Sequence, residues 1–354
     1  MTASQDLRFG LIGFGLFGAH HAAAIVKTEG AQVAAIAVSS KLSQAAAKKA
    51  HPQADVYGDY RQLLACGDID VVNVVVPNVL HYEVSRAALE AGKHLLLEKP
   101  MALEVAHCDA LIDLAKSKGL LLAVGHELRL SRLWGGVKRL IDEGAIGQPL
   151  HVLIELSRFP YRQGSQGWRW DVDRVGNWIL EEPIHFFDLA RWYLSARGEP
   201  ESVYARANAR QGDCRGLYDN FSAVVNFPGG AYAVVTQTLA AFGHHQTAKV
   251  TGTQGCIWAH WSAADARSDQ AAYGLRYGLG EEVQEVPFAE MTGELVELAA
   301  EIAAVVQSIG DGSPPPCTGA DGRWSTLLCL ASQHSVDIGE VVSIQGFLAG
   351  QGPA

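Results

Sequence analysis

Residues 8–38 read RFGLIGFGLFGAHHAAAIVKTEGAQVAAIAV: an apolar run, a glycine-rich loop, a helix-like stretch and a second apolar run. The glycines follow the pattern G-x-G-x-x-G directly after the first run. In that context the first glycine permits a tight turn, the second lets the backbone approach a pyrophosphate, and the third lets helix and strand pack closely. The pyrophosphate would face the positive end of the helix. This stretch therefore predicts a dinucleotide-binding βαβ unit, with cofactor contacts from Gly13, Phe14, Gly15, Leu16, Phe17 and Gly18.

The first 125 residues alternate apolar runs with longer amphipathic stretches. The runs lack period-2 alternation, which is typical of strands buried on both faces. Strands that alternate with helices imply a parallel sheet with right-handed crossovers, so we predict an N-terminal α/β domain of the Rossmann type. The predicted strands are Arg8–Ile12, Val33–Val38, Val71–Val76, His94–Glu98 and Leu120–Val124, and the predicted helices are Ala19–Thr28, Val79–Ala91 and Leu103–Lys118.

From about His151 the pattern changes to neighbouring strands joined by short turns. One pair is a hairpin that turns at Pro228-Gly229-Gly230. We therefore predict an α+β second domain with an open mixed or antiparallel sheet, and boundaries at 1–126 and 127–354. Its predicted helices are Gly176–Leu194, Met291–Ile309 and Arg323–Ile338. The helix near 323–338 is expected to pack back on the first domain.

Composition narrows the class of partner. The chain has 354 residues and a formal charge of −10, which argues against nucleic acid or an anionic membrane as the main partner. No apolar run reaches the roughly 18 residues of a membrane span, and four glycines interrupt the one N-terminal stretch that resembles a signal peptide. The cysteines show neither C-x-x-C pairs nor zinc-ligand spacing, so we expect no metal and a reducing, cytoplasmic location. They are Cys66, Cys108, Cys214, Cys256, Cys317 and Cys329.

The end of the second predicted strand selects the cofactor. An acidic residue there would bind both ribose hydroxyls of NAD. This chain has Ser39, Ser40 and Lys41 instead, and two hydroxyls with an ammonium suit a 2′-phosphate. The sequence thus favours NADP, while NAD with a solvated Lys41 stays open.

Three further segments carry a family resemblance. They are Pro77-Asn78-Val79-Leu80-His81, Glu98-Lys99-Pro100 and Gly144-Ala145-Ile146-Gly147-Gln148-Pro149. Together with the glycine loop, they make the chain resemble the Gfo/Idh/MocA family of sugar and polyol oxidoreductases over nearly its whole length. The resemblance implies that Pro77, Asn78, His81, Glu98 and Lys99 lie near the cofactor. It also implies a homodimer or homotetramer that assembles through the exposed face of the second sheet.

Lys99 is the first candidate catalytic residue. It follows a predicted strand at the edge where ligands bind in open α/β sheets, and Pro100, if cis, would aim it. The resemblance implies that this lysine positions and protonates the reacting hydroxyl. His81 is equally compatible with capping the helix that follows it.

His185 is the second candidate catalytic residue. It matches the family's motif histidine, and Glu181 and Pro183 stand where the family usually has aspartate and glycine. On a helix Glu181 and His185 share one face, but Pro183 is expected to kink that helix or start a new one. We predict that His185 takes the hydroxyl proton and that Glu181 orients it or binds a neighbouring hydroxyl. Asp188 matches the family's acid three residues later.

Aromatic and arginine side chains around this motif suit a sugar. Aromatic rings stack on the apolar faces of sugars, and arginine binds hydroxyls or acids. The spacing of Arg158, Arg162 and Arg169 allows a cationic pocket for an acidic sugar, or simply a solvated loop with salt bridges. The predicted substrate contacts are Arg129, Arg158, Tyr161, Trp168, Arg169 and Trp178.

The sequence as a whole predicts an NAD(P)-dependent oxidoreductase that interconverts a secondary hydroxyl and a ketone on a sugar, inositol-like polyol or acidic sugar derivative. Two other functions stay open. One is an NAD-dependent glycosidase that oxidises a ring carbon only transiently, and the other is a non-catalytic sensor of the cofactor. The presence of both Lys99 and His185 argues against the sensor.

Overall fold

The computed structural model of the chain describes residues 6–210 and 216–350, so Cys214 lies outside the described residues. The chain divides into two compact units, Met1–Glu127 with Leu295–Arg323, and Leu128–Glu294 with Trp324–Ala354. Packing of the helix near 323–338 on the first domain stays a prediction, and the later segment that joins the first unit is 295–323. The physical reason is an apolar helix face in 295–323, which packs with Phe9 and Leu96 of the first sheet through Leu298, Ile302 and Val305.

The first unit is built on a six-stranded parallel sheet in the order β3-β2-β1-β4-β5-β6. This confirms the predicted Rossmann fold. The order reverses between β1 and β4, and ligands of such sheets bind at the carboxyl ends of the strands beside that reversal. The strands are β1 (Leu7–Ile12), β2 (Ala31–Ala37), β3 (Asp55–Tyr57), β4 (Val71–Val74), β5 (His94–Glu98) and β6 (Leu122–Gly125).

Six helices belong mainly to this unit. They are α1 (Leu16–Lys27), α2 (Lys41–Ala50), α3 (Tyr60–Leu64), α4 (His81–Glu90), α5 (Val105–Lys118) and α9 (Glu294–Asp311). Strand β3 and helices α2 and α3 were not predicted from the sequence. For α2 the reason is plain, because Ala47 is its one buried residue and the helix shows almost no apolar face.

The second unit is built on a nine-stranded mixed sheet in the order β14-β13-β12-β11-β7-β10-β9-β8-β15. Strands β7 and β10 pair in parallel and all other pairs are antiparallel. The predicted mixed sheet is thus confirmed. The strands are β7 (Pro149–Arg158), β8 (Ser202–Asn208), β9 (Asn220–Asn226), β10 (Tyr232–Thr238), β11 (His244–Gly252), β12 (Gly255–Ala263), β13 (Ala272–Leu279), β14 (Glu282–Glu285) and β15 (Val342–Ser343).

Helix α8 packs against β7 and β10 of this sheet and carries the motif histidine. The large apolar residues Leu150, Tyr232 and Trp258 of the sheet are exposed, and assembly of subunits through a bare sheet face stays a prediction. The remaining helices are α6 (Trp134–Asp142), α7 (Val172–Val175), α8 (Pro183–Tyr193), α10 (Gly319–Ile338) and α11 (Ile344–Gly350). Across residues 6–210 and 216–350, no helix combines the length and apolar character needed to cross a membrane.

Candidate active site

The glycine loop joins β1 to α1 at the carboxyl edge of the parallel sheet. Gly13 has φ +102°, and a Cβ there would lie 2.0 Å from the carbonyl oxygen of Val75. A Cβ on Gly18 would lie 2.3 Å from the carbonyl oxygen of Gly13, so neither position admits a side chain. Around Gly15, by contrast, no described atom lies within 4 Å of such a Cβ. The loop is tight at its two ends and open in the middle, where a ligand would approach the backbone.

The N-terminus of α1 faces this opening. Gly15 is the N-cap, and among the described residues no side chain caps the helix. The first N–H groups of a helix lack intrahelical partners and attract anions. Phe14 and Phe17 make edge-on ring contacts with His51 and His21, at 5.8 and 5.0 Å between ring centres. These residues fit the pyrophosphate of a dinucleotide.

The predicted selector lies at the end of β2. The hydroxyl of Ser40 caps α2 by accepting a hydrogen bond from the Ser43 N–H at 3.0 Å. Lys41 Nζ donates to Gln44 Oε1 at 3.4 Å, and Ser39, Ser40 and Lys41 are all exposed. The first turn of α2 contains no acidic residue. The segment therefore offers hydroxyls and an ammonium with no carboxylate to repel a phosphate.

His81 connects two strand ends of the first unit. It is buried at the start of α4, with Nδ1 2.5 Å from the Pro100 carbonyl oxygen and Nε2 2.8 Å from that of Val76. Burial lowers the pKa of this imidazole. Pro77 and Asn78 form the short turn just before it. His81 thus ties the turn after β4 to the segment that contains Lys99.

Lys99 follows β5 directly, at the same carboxyl edge as the glycine loop. It is half-buried, and its peptide bond to Pro100 is cis, a conformation that the sequence left open. Glu98 lies under it: one carboxylate oxygen accepts a hydrogen bond from the Lys99 N–H at 3.2 Å, and the other lies 2.8 Å from His21 Nε2. The contact of Glu98 with the cofactor stays a prediction, and within the protein its carboxylate contacts His21 and the Lys99 backbone.

In the second unit, the motif histidine lies on α8. Pro183 is the first residue of this helix, because proline lacks an N–H and fits the first turn. The helical stretch Gly176–Leu194 is thus interrupted, and a new helix begins at Pro183, which is one of the two outcomes expected of that proline; Glu181 lies outside the helix that carries His185. Both side chains are buried, with 5% and 6% of their surface exposed. The placement of Glu181 relative to His185 is therefore set by the turn before Pro183 and not by the spacing of residues on one helix.

Two arginines of the candidate substrate region form ion pairs with two glutamates that follow each other in the sequence. Arg169 Nε donates to Glu181 Oε2 at 2.8 Å, and Arg158 donates to Glu182 Oε1 at 2.6 Å. Burial disfavours the charge on Arg158, but Glu182 outweighs burial and raises its pKa. Arg162 is exposed. The cationic pocket that the spacing allowed is thus largely neutralised by the protein's own carboxylates.

Aromatic side chains surround these ion pairs. The Arg158 guanidinium lies 4.8 Å from the ring centre of Tyr161, and that of Arg169 lies 5.0 Å from the ring centre of Trp168. Trp178 is buried and donates from its indole N–H to the Arg169 carbonyl oxygen at 2.8 Å. The structure therefore brings five of the six predicted substrate contacts into one cluster of the second unit.

Arg129 has a different environment. Its guanidinium donates two hydrogen bonds of 2.7 Å to the carboxylate of Asp188 on α8. Both side chains are buried, at 5% and 2% exposure. The Ser325 hydroxyl adds a third donor to Asp188 at 3.3 Å. This bidentate pair joins α8 to the segment before α6.

Residues 7–126 match the family model described as "Oxidoreductase family, NAD-binding Rossmann fold", and residues 135–258 match that of the "GFO/IDH/MocA C-terminal domain". The chain belongs to the GFO/IDH/MocA family. It is accordingly an NAD(P)-dependent oxidoreductase, as the sequence predicted.

Proteins similar to this chain are named as an inositol dehydrogenase, an anhydrofructose reductase and a levoglucosan dehydrogenase. Over 339 residues the chain is 28% identical to myo-inositol 2-dehydrogenase of Thermotoga maritima, with 94% of this chain and 96% of that protein covered. It is 26% identical over 341 residues to 1,5-anhydro-D-fructose reductase of Ensifer adhaerens, with 96% and 98% covered. A solved structure of levoglucosan dehydrogenase in complex with NADH and levoglucosan superposes with a TM-score of 0.80 at 25% identity, covering 96% of this chain and 100% of the other.

Glu182 and His21 of this GFO/IDH/MocA chain were not predicted as site residues from the sequence. Glu182 was overlooked because the family pattern directs attention to one acid, at position 181. His244 is buried directly across from Arg158 on the neighbouring strand, and burial lowers its pKa. His21 follows the glycine pattern by three residues, a fixed spacing that was readable but was not used.

Proposed function

We propose that the chain interconverts a secondary hydroxyl and a ketone on a neutral sugar or inositol-like polyol. The observation that carries the proposal is the open backbone at Gly15 on the same sheet edge as Lys99. A cofactor cradle and a proton-exchanging side chain at one edge are what hydride transfer from an alcohol requires. The names of the inositol and anhydrosugar relatives support the substrate class.

The chemistry divides between cofactor and protein. A bound nicotinamide supplies or accepts the hydride, held through the glycine loop and the N-terminus of α1. Lys99 and His185 exchange the hydroxyl proton and stabilise the charge that develops on the oxygen. Glu181, fixed by Arg169, orients the reacting groups or binds a neighbouring hydroxyl.

The arginine pairs favour a neutral substrate over an acidic one. An incoming carboxylate would compete with Glu182 for Arg158 and with Glu181 for Arg169. A neutral hydroxyl avoids this competition, because it can accept from an arginine and donate to a carboxylate within the same pair. Trp168, which is half-buried, would provide flat apolar surface for the sugar ring, whereas Tyr161 and Trp178 are buried in the cluster packed against it.

The test is whether the purified protein catalyses reduction of NAD or NADP by a substrate, followed at the nicotinamide absorbance. The substrates are matched panels of neutral polyols, anhydrosugars and sugar acids. We expect steady reduction with a neutral polyol. Reduction with sugar acids alone would contradict the neutral substrate. Tight binding of dinucleotide without net reduction would contradict the dehydrogenase and favour the glycosidase, which glycosides added to the same assay would then reveal.

We further propose that the cofactor preference leans to NADP. The exposed Lys41 and the two serines, with no acid in the first turn of α2, suit a 2′-phosphate. The relative solved with NADH shows only that levoglucosan dehydrogenase binds that form.

Replacement of Ser39 with aspartate is expected to lower kcat/KM for NADP at least about tenfold relative to NAD, since the new carboxylate repels a 2′-phosphate. The measurement is kcat/KM for both dinucleotides at fixed substrate. Ser117→Asp is the matched control, because Ser117 is an exposed serine on α5 and its replacement adds the same negative charge away from the end of β2. An unchanged ratio in S39D would show that the end of β2 does not select the cofactor.

A further inference from the structure

Three ionisable side chains of the first unit are buried, and two of them, His21 and Glu98, lie within hydrogen-bond distance of each other next to Lys99. His21 comes from α1, Glu98 ends β5, and Glu301 comes from α9, and none is more than 5% exposed. Groups of this kind are rarely buried without a partner or a function. None of them is assigned a chemical role in the proposed reaction.

Glu98 is the centre of this buried set. One carboxylate oxygen lies 2.8 Å from His21 Nε2, and the other accepts the Lys99 N–H at 3.2 Å. Room for the carboxylate comes from Gly125 on the adjacent strand, where a Cβ would lie 2.9 Å from Glu98 Oε1. Burial alone would raise the pKa of Glu98, but the hydrogen bond and charge of His21, with Lys99 and His81, lower it. Glu98 is therefore the ionised member.

Glu301 is in the opposite state. Within residues 6–210 and 216–350, its Oε2 has no hydrogen-bond partner. Burial, with the nearby charge of Glu98, raises its pKa well above the usual range. Because its Oε2 is buried without a described partner and Glu98 carries a negative charge, the neutral acid is the favoured form of Glu301. The set thus contains one negative charge, on the residue that contacts the Lys99 backbone.

We propose that His21 and Glu98 are positioning residues that tie the glycine-loop helix to Lys99, and that Glu301 is the neutral acid that leaves Glu98 as their single buried negative charge. His21 donates from Nε2 to Glu98, and Glu98 holds the Lys99 peptide. Movement of α1 on dinucleotide binding would thereby be transmitted to the lysine through two hydrogen bonds. The kinetic part of this proposal rests on the proposed function, whereas its other parts do not.

The hydrogen bond from His21 is tested with His21→Ala, His21→Gln and the matched control His20→Ala from the same helix. Glutamine keeps an Nε2–H donor, so H21Q should stay within about twofold of the natural chain. H21A should lower kcat about tenfold or more with little change in KM for the polyol, since misplacement of a reacting group costs rate. H20A should behave like the natural chain. Equal behaviour of H21A and H20A, or failure of H21Q to restore activity, would overturn the positioning role.

A readout without substrate separates this proposal from the proposed function. The rate at which an acylating reagent modifies Lys99 is measured by peptide mass spectrometry, with exposed Lys116 as internal reference. H21A and Glu98→Gln should change the Lys99 rate at least about threefold, whereas H21Q and H20A should not. Unchanged rates in both variants would overturn the link to Lys99 even if no polyol is oxidised.

The proton on Glu301 is tested by thermal unfolding of Glu301→Gln between pH 5 and 9. In the natural chain this acid is protonated when folded and ionised when unfolded, so its contribution to stability is lost as pH rises from the unfolded pKa toward the folded one. The unfolding temperature should fall relative to E301Q by roughly 2 °C per pH unit. Parallel curves would show that Glu301 ionises normally and would overturn its assignment.

Discussion

Replacement of Lys99 with alanine is expected to lower kcat by about 10² or more while dinucleotide affinity stays the same. The lysine follows β5 at the sheet edge where ligands bind, and its ammonium is the group proposed to exchange the hydroxyl proton. The pyrophosphate, in contrast, is expected to contact backbone N–H groups around Gly15, which the substitution leaves in place. The measurements are kcat, KM and the dinucleotide dissociation constant.

Two control variants decide what the lysine supplies. Lys99→Arg keeps a positive charge but cannot release a proton near neutral pH, so it should remain as inactive as the alanine variant if proton exchange is the role. Lys116→Ala removes an exposed lysine of the same unit and should leave kcat unchanged. Activity restored by arginine would mean that charge alone is needed. Full activity of K99A would remove Lys99 from the mechanism.

The parts of the fold that could be read from the sequence are those set by local patterns. Buried parallel strands are short continuous apolar runs, and β5 was predicted with its observed bounds, His94–Glu98. Gly13 and Gly18 were readable for a similar reason, since each excludes a Cβ within one short loop. Helix α2 left no such pattern, because Ala47 is its one buried residue.

The start of α8 shows a feature that local sequence patterns could not decide. Both a kinked long helix and a new helix at Pro183 were compatible with the sequence. The choice depends on Glu181 and the turn before it, which bend the chain so that Arg169 can reach the carboxylate. Such a choice between two local conformations is made by a partner twelve residues away.

Charge pairing was the least predictable feature of the candidate site. Arg158 and Glu182 are 24 residues apart, and Arg129 and Asp188 are 59 apart. The sequence shows the cations clustered, but only the folded chain shows that Arg129, Arg158 and Arg169 each pair with a carboxylate. The same holds for His21 and Glu98, 77 residues apart. A list of charged residues therefore overstates the net charge that a substrate would meet in the second unit.

The pair formed by Arg129 and Asp188 carries the second large prediction. Replacement of Arg129 with methionine is expected to lower the free energy of unfolding by about 3–5 kcal/mol, because it removes the cation that pairs with the buried carboxylate of Asp188. The loss would appear as a lower urea midpoint with an unchanged slope. If Arg129 stabilises the second unit and does not touch substrate, KM of the folded protein should be unchanged. This role is favoured by the two hydrogen bonds and the 5% exposure of its side chain.

Arg132 provides the matched control for that variant. It lies three residues further on and pairs with Glu290, but both side chains are at least half exposed. Arg132→Met should therefore cost no more than about 1 kcal/mol. The double variant R129M/D188L removes both buried charges and should recover much of the stability lost in R129M, since apolar side chains of similar volume can replace a buried ion pair. A normal urea midpoint for R129M together with a raised KM would instead assign Arg129 to the substrate, as the sequence alone first suggested.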